Sequence, residues 1–356
     1  MDVQFAPDWS HAVPYQRLLA AALADEGVNI RYLRGYKRIL PLSRLLKVHP
    51  CELLHLHWPE AYYPAMRDRW DWFRRARFRL DLVLAARRTP YVLTAHNLHE
   101  HNLQDKAFGR ANYAAAFQWA RLIFAHSEAA REALINAYRL APEVVKVIPS
   151  GDLSVALPPP ISKEEARKKL GLSPEPLCLV FGAVEPYKGQ EEVLAWWKRA
   201  KPAAQLAIVG KPHTLDYQNT ISRAANGLPN VTLRFGWLSD DDLAVWLSAA
   251  DCTVFNYRTI FTSGAAGLAR SYGTPMVLPA RLQTLDLHEP DPRVIRFESF
   301  DGDFGSKLQT ALAMPPGYAE AASWREATSW KRVAQLTVEG YRTALGKRNI
   351  ATAAVS

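Results

Sequence analysis

Leu177-Cys178-Leu179-Val180-Phe181-Gly182-Ala183-Val184-Glu185-Pro186-Tyr187-Lys188-Gly189 is a short apolar run of strand length that passes into a loop carrying two glycines and a lysine. A helical pattern follows at once, predicted over 190–199. The loop therefore brings an ammonium group and the unpaired N–H groups of a helix start to one spot, where negative charge is favoured and a phosphate fits. The same residues also read as a solvated surface lysine beside an ordinary turn, and the loop alone does not choose.

The rhythm of this segment extends in both directions. Runs rich in Val, Ile, Leu and Phe predict strands over 177–182, 205–209, 231–235, 252–255 and 275–278, with a further helix over 240–249. Upstream, strands are predicted over 3–6, 28–32, 52–57, 91–95, 122–125 and 144–148. Strands alternating with helical stretches imply parallel sheets with crossover helices, an α/β fold. Between the two series stand Ser150-Gly151-Asp152 and Leu157-Pro158-Pro159-Pro160, a proline run that neither a helix nor a central strand tolerates. The expectation is two doubly wound, Rossmann-like domains, 1–152 and 153–330, followed by a terminal segment 331–356. Ligands of such folds bind at the carboxyl ends of the strands, which puts the post-strand loops of both domains along a shared cleft.

Composition narrows the classes. At 356 residues, with 49% hydrophobic and 22% charged, the chain has the length for two cores and the balance of a globular protein. No run approaches the roughly 18 apolar residues of a spanning helix. The start, Val3-Gln4-Phe5-Ala6, has strand character instead of a basic-then-apolar signal, so the expected location is cytoplasmic. Cys51, Cys178 and Cys252 sit in or beside apolar runs without metal-ligand spacing and read as reduced core residues. The net charge of +9 is uneven: residues 1–150 hold 21 Lys and Arg against 14 Asp and Glu, a surplus of +7. A basic half implies an anionic partner, whether lipid headgroups, nucleic acid or a polyanionic substrate.

A second phosphate signal is Phe255-Asn256-Tyr257-Arg258-Thr259-Ile260-Phe261-Thr262-Ser263-Gly264-Ala265-Ala266-Gly267-Leu268-Ala269. Small residues allow close approach to the start of the next helix, and Thr262 and Ser263 add hydroxyls to its free N–H groups, an arrangement suited to a diphosphate. Taken alone it is also a plain Ser/Thr helix cap.

Phe181-Gly182 with Tyr187-Lys188-Gly189, then Ile208-Val209-Gly210, Phe235-Gly236-Trp237-Leu238-Ser239, and Ser263-Gly264 through Gly273-Thr274-Pro275-Met276-Val277 form an ordered series over 177–279. In order and spacing it resembles the C-terminal donor domain of GT-B glycosyltransferases related to family GT4. Ser329-Trp330-Lys331 through Tyr341 is similar to the terminal helix that, in that fold, crosses back to the first domain. The resemblance implies a nucleotide-sugar donor, used as a substrate and not as a cofactor. Lys188 would contact its diphosphate together with Thr262, Ser263 and Gly264. Gly182, Tyr187, Gly189, Gly210 and Tyr257 complete the implied donor site. The usual retaining members carry two glutamates eight positions apart, where this chain has Ile260 and Leu268. That departure leaves the usual ribose and sugar contacts, and a retaining outcome, without the residues that carry them in the family.

In the first domain, Leu54-His55-Leu56-His57-Trp58-Pro59-Glu60 and Leu93-Thr94-Ala95-His96-Asn97-Leu98-His99-Glu100-His101 each follow a strand. This pair resembles a narrower set typified by the β-mannosyltransferase of xanthan-type polysaccharide assembly, which acts on a polyprenyl-diphosphate-linked oligosaccharide and shares the small Ser-Gly turn. An inverting transfer needs a base for the acceptor hydroxyl and a counter-charge for the leaving nucleoside diphosphate. Glu60 is the favoured base, with Glu100 and Asp8 as further acidic candidates. His96 is assigned to the donor sugar or reacting centre by resemblance. His57, Trp58, Asn97 and Glu100 are the expected acceptor contacts, whereas His55, inside the strand, reads as structural. His96, His99 and His101 lack the helical i, i+4 pair of zinc hydrolases, and no metal is expected.

From Tyr62 to Arg88 eight arginines alternate with Trp70, Trp72, Phe73 and Phe78. Such a helix suits a bilayer surface, with rings at the interface and arginines on anionic headgroups. It equally suits a helix packed on the sheet whose arginines pair with Asp68, Asp71 and Asp81. A nucleic-acid role lacks a motif and is not expected. The reading is a hexosyltransferase, with mannose from GDP-mannose as the first choice, acting with inversion on a lipid-linked or similar glycan acceptor in surface-polysaccharide synthesis, peripheral to the inner membrane face. The alternatives are a retaining GT4-like enzyme using a UDP-sugar and a catalytically silent sugar-nucleotide- or glycan-binding module.

Overall fold

A computed structural model describes residues 1–35, 39–63, 70–98, 106–282, 291–315 and 317–346. The chain divides into two compact units, Met1–Gly151 with Thr328–Ser356, and Asp152–Ala327.

In the first unit β1 (Asp2–Ala6), α1 (Pro14–Asp25), β2 (Asn29–Tyr32), α2 (Pro41–Val48), β3 (Leu53–Leu56), α3 (Asp71–Arg88), β4 (Tyr91–Thr94), α4 (Lys106–Trp119), β5 (Leu122–Ala125), α5 (Glu128–Tyr138) and β6 (Val145–Val147) alternate along the chain. The six strands pair in parallel in the order β2-β1-β3-β4-β5-β6. Strands β3, β4 and β5 are buried at every residue, which is why they read as unbroken apolar runs and not as an alternation. Buried Asp81 on α3 accepts from the Leu42 and Ser43 N–H groups, each at 2.9 Å, and from Ser43 Oγ at 2.6 Å. Its carboxylate thereby satisfies orphan donors at the start of α2.

The second unit runs α6 (Lys163–Leu170), β7 (Leu177–Phe181), α7 (Gln190–Ala200), β8 (Gln205–Gly210), α8 (Leu215–Ala225), β9 (Val231–Phe235), α9 (Asp240–Ala249), β10 (Cys252–Val254), α10 (Gly264–Ser271), β11 (Met276–Pro279), β12 (Val294–Phe297), α11 (Phe304–Ala313) and α12 (Ala322–Ala327). Its sheet is again parallel, in the order β12-β11-β10-β7-β8-β9. Strand β12 is absent from the sequence expectation. It is an edge strand with only alternate residues buried, and Arg296 interrupts its apolar run. Cys178 and Cys252 face each other in the β7–β10 register as buried free thiols.

The terminal helix α13 (Trp330–Gly346) belongs to the first unit, burying Val333, Ala334, Tyr341 and Ala344. Gly340 permits the close approach: a Cβ there would lie 2.7 Å from the Phe124 ring of β5. Thr328, Ser329 and Trp330, placed by the sequence with the second domain, fall in the first unit, where the Trp330 ring meets Tyr15 at 5.6 Å.

Strand order reverses between β1 and β3 in one sheet and between β7 and β10 in the other. Ligand crevices of doubly wound sheets open at such points, beyond the carboxyl ends of the flanking strands. The fold is GT-B, as the resemblance implies.

Candidate functional site

The loop after β7 and the loop after β10 meet at the second reversal point. Gly210, at the end of β8, has φ +145, and a Cβ there would fall onto the Gly182 carbonyl oxygen, so these two post-strand turns touch through bare backbone. Tyr187 and Lys188 lie on a short 3-10 turn, Pro186–Lys188, and Gly189 at φ +60 turns the chain into α7. Asn256, after β10, donates from Nδ2 to the Gly189 carbonyl at 2.9 Å and ties the two loops together. The Lys188 ammonium sits 5.6 Å from the Tyr257 ring centroid and 6.0 Å from that of Tyr187, and the two rings stack at 6.2 Å.

Burial pushes the Lys188 ammonium down to about 8, with Glu185 pulling the other way. Among the described residues Lys188 has no ion pair, so a desolvated cation lies against two tyrosine faces with only the Coulombic pull of Glu185. Tyr257 Oη lies 2.9 Å from Ser263 Oγ, which also accepts the Ala266 N–H at 3.1 Å as the N-cap of α10. Thr262 precedes this cap, and Gly264, the first residue of α10, is exposed, which leaves the helix start open. A cation, a capped but open helix start and a tyrosine hydroxyl together can hold an anion with two or more oxygens.

The second group lies at the carboxyl edge of the first sheet. Trp9 follows β1, His57 and Trp58 follow β3, His96 and Asn97 follow β4, and His126 follows β5. Three rings stack: Trp9 on Trp58 at 4.8 Å and Trp58 on His96 at 4.3 Å. Three imidazoles form a row, with His57 Nδ1 3.3 Å from His96 Nε2, His96 Nδ1 3.4 Å from His126 Nε2, and His126 Nδ1 3.0 Å from the Ile148 carbonyl oxygen. Burial holds His57 and His96 well below the usual imidazole range and pushes His126 down to about 4, so the row is neutral at ordinary pH. Beneath it His55 bridges Tyr341 Oη and Thr94 Oγ1, both at 2.7 Å, in a structural role.

Glu60 sits on the 3-10 turn Pro59–Tyr62. Its Oε2 accepts from Tyr113 Oη at 2.7 Å and its Oε1 from Asn97 Nδ2 at 3.4 Å. Burial raises the Glu60 carboxyl, and these two donors hold the rise in check. A carboxyl lifted in this way is a stronger proton acceptor than an ordinary surface carboxylate. Asp8 differs. Burial raises it, but Ser10 and Arg34 outweigh this, Ser10 Oγ at 2.7 Å and Arg34 Nε at 2.8 Å, so it stays below its ordinary value.

The structure thus brings Glu60, Asn97, His57, Trp58 and His96 together and gathers Gly182, Tyr187, Lys188, Gly189, Gly210, Tyr257, Ser263 and Gly264 at one place in the second unit, while Asp8 is committed to its own turn. Glu100, with His99 and His101, lies outside the described residues. Among the described residues no group of three His, Cys, Asp or Glu is arranged to hold a metal ion. Sequence reasoning passed over Trp9, Tyr113, Asn256 and His126. Of these only His126 carried a signal, as a histidine directly after an apolar strand, the position that His57 occupies after β3.

Known proteins resemble this chain along most of its length. The model for Glycosyltransferase Family 4 matches residues 5–151, and that for Glycosyl transferases group 1 matches residues 162–271. A protein of Xanthomonas campestris pv. campestris, the GDP-mannose:glycolipid 4-beta-D-mannosyltransferase, is 27% identical over 343 residues, covering 94% of this chain and 89% of its own. Among solved structures, HepE of Anabaena with UDP and glucose aligns at a TM-score of 0.70 and 15% identity over 96% of this chain and 99% of its own. Sucrose-phosphate synthase of Thermosynechococcus elongatus aligns at 0.72 and 18% identity, over 96% and 98%.

Proposed function

The chain is a glycosyltransferase of the GT-B fold related to family 4, and from that premise we propose that it transfers mannose from GDP-mannose, with inversion, to a lipid-linked or similar glycan acceptor in surface-polysaccharide synthesis. The observation that carries the donor site is the desolvated Lys188 ammonium, unpaired by carboxylate among the described residues and set beside the open start of α10. There it takes up the charge that grows on the leaving diphosphate. The acceptor hydroxyl gives its proton to Glu60 as its oxygen bonds to the sugar's anomeric carbon. The anomeric C–O bond breaks, and its electron pair leaves with the diphosphate. Because attack comes from the face opposite the leaving group, one displacement inverts the anomeric centre.

Inversion is supported by what stands at the two acidic positions of the retaining pattern. Leu268 is 5% exposed within the apolar core of the second unit, and Ile260 packs against the same core. The name of the Xanthomonas relative supports GDP-mannose and a glycolipid. The test is to incubate the protein with GDP-mannose and a polyprenyl-diphosphate-linked oligosaccharide and read the new linkage by NMR. A β-mannosyl product supports the reading, and an α-linked product formed from a UDP-sugar replaces it with retaining transfer.

Helix α3 gives the proposal a place to meet such an acceptor. Phe78, Asp81, Leu82 and Ala85 form its buried face. Trp72, Ala76, Leu80 and Leu84 recur every four residues on the exposed side, with Phe73 beside them and Arg79, Arg87 and Arg88 also exposed. A helix that is apolar on its outer stripe too, and lined with arginine, fits an anionic bilayer surface. Among the described residues no helix is long and apolar enough to cross a membrane.

A further inference from the structure

The imidazole row across β3, β4 and β5 has a direction, which follows from its one fixed end. A carbonyl oxygen only accepts, so His126 Nδ1, 3.0 Å from the Ile148 oxygen, carries a proton. In a neutral ring the other nitrogen is then a lone pair, and His126 Nε2 must accept from His96 Nδ1–H at 3.4 Å. By the same step His96 Nε2 accepts from His57 Nδ1–H at 3.3 Å. The row therefore ends on a lone pair at His57 Nε2, which is buried and has no hydrogen-bond partner. Charging any inner ring would turn both its nitrogens into donors and break this order, and burial already disfavours that charge.

We propose that His126, anchored by the Ile148 carbonyl, is a positioning residue that locks His96 and His57 in the Nδ1–H tautomer and so leaves the row's one uncommitted lone pair at His57 Nε2. The consequence for turnover rests on the reading of His57 and His96 as part of the transfer site, whereas the tautomer order does not. His126 never has to touch a substrate. It acts two rings away, as the partner behind a functional histidine commonly sets its tautomer and orientation. The packing around the row is consistent with this, since the Tyr15 edge meets His96 at 4.9 Å and His126 at 5.6 Å and keeps both rings from turning.

The test is long-range 15N–1H NMR of histidine-labelled protein without donor, together with GDP-mannose turnover. The expected wild-type spectrum has His57, His96 and His126 all protonated at Nδ1. In His126→Phe, which keeps the ring but not the acceptor, His96 is expected to lose its pure Nδ1–H signature. Turnover should fall by roughly 10- to 100-fold in kcat with KM little changed. His126→Gln, whose amide oxygen can still accept from His96, should restore both readouts. An Nε2–H signature on any of the three wild-type rings, or an unchanged His96 in His126→Phe, overturns the proposal. So does a turnover loss that His126→Gln shares in full. If wild-type protein consumes no GDP-mannose, the donor assignment fails, and the spectra still decide the row.

Discussion

Tyr113 Oη donates to Glu60 Oε2 across 2.7 Å, joining a residue of α4 to a carboxylate that follows β3. The bond favours the charged form of Glu60, against a burial that disfavours it. Tyr113→Phe should therefore raise the Glu60 pKa further. A protonated base is inactive, so the acid limb of the pH profile of kcat/KM should move to higher pH, while activity well above the limb changes little. Glu60→Gln should lower kcat by about 10²–10⁴-fold on the plateau above the acid limb and remove that limb from the profile. Profiles that coincide for wild type and Tyr113→Phe would remove Glu60 from the role of base.

The strand rhythm, the proline run at the unit boundary and the loops around Lys188 and Ser263 were legible in the sequence because each rests on neighbours along the chain. Buried parallel strands declare themselves as apolar runs, and a helix start declares itself by its cap. Tyr113 was not legible, and His126 only as a histidine after a strand, for the opposite reason. Tyr113 lies 53 residues from Glu60 on a helix whose local pattern only says that it packs. His126 stands between the end of β5 and Ser127, the N-cap of α5, and passes for part of that cap. Only the β4–β5 register, which sets Thr94 against Phe124, brings His96 and His126 side by side.

Lys188 makes a prediction about the protein without ligand. Its folded-state pKa of about 8 lies below the ordinary 10.5, so between these values the unfolded chain binds more protons than the folded one. Stability therefore rises with pH through that window, and below about pH 8 the fold carries the cost of a desolvated ammonium. Lys188→Met should raise the Tm of the apo protein near neutral pH and flatten its rise across the window. GDP-mannose, the proposed donor, should raise the Tm of the wild type, and Lys188→Met should abolish that increase. A variant that still gains Tm from the donor would take Lys188 out of the diphosphate site.

Restoring a glutamate at position 268 should not restore a retaining enzyme. Leu268 is 5% exposed and belongs to the apolar cluster of the second unit that also holds Phe255, Tyr257 and Leu282. Leu268→Glu buries an uncompensated charge, with an expected loss of roughly 3–5 kcal/mol in urea unfolding. Leu268→Met, close in volume, should cost less than about 1.5 kcal/mol. Any turnover left in the glutamate variant should still give the β-linked product that the inverting reading predicts for the wild type. An α-linked product at undiminished stability would mean that position 268 faces the sugar and not the core.

The outer stripe of α3 allows the proposed membrane contact to be tested apart from folding, because Trp72, Phe73 and Leu80 there are more than half exposed. Trp72 is 63% exposed, and Phe73 and Leu80 are each 52% exposed, whereas Phe78 and Leu82 on the opposite side are buried. Replacing Trp72, Phe73 and Leu80 together by serine should leave the Tm nearly unchanged, since exposed substitutions cost at most about 0.5 kcal/mol each. The same replacement should sharply reduce co-sedimentation with phosphatidylglycerol vesicles, where rings insert and arginines meet anionic headgroups. Salt should weaken the wild-type interaction only in part, because insertion of the rings is not screened and the arginine contribution is. Undiminished vesicle binding by the triple variant, or equal binding of wild type to neutral phosphatidylcholine, would assign α3 to some other surface role.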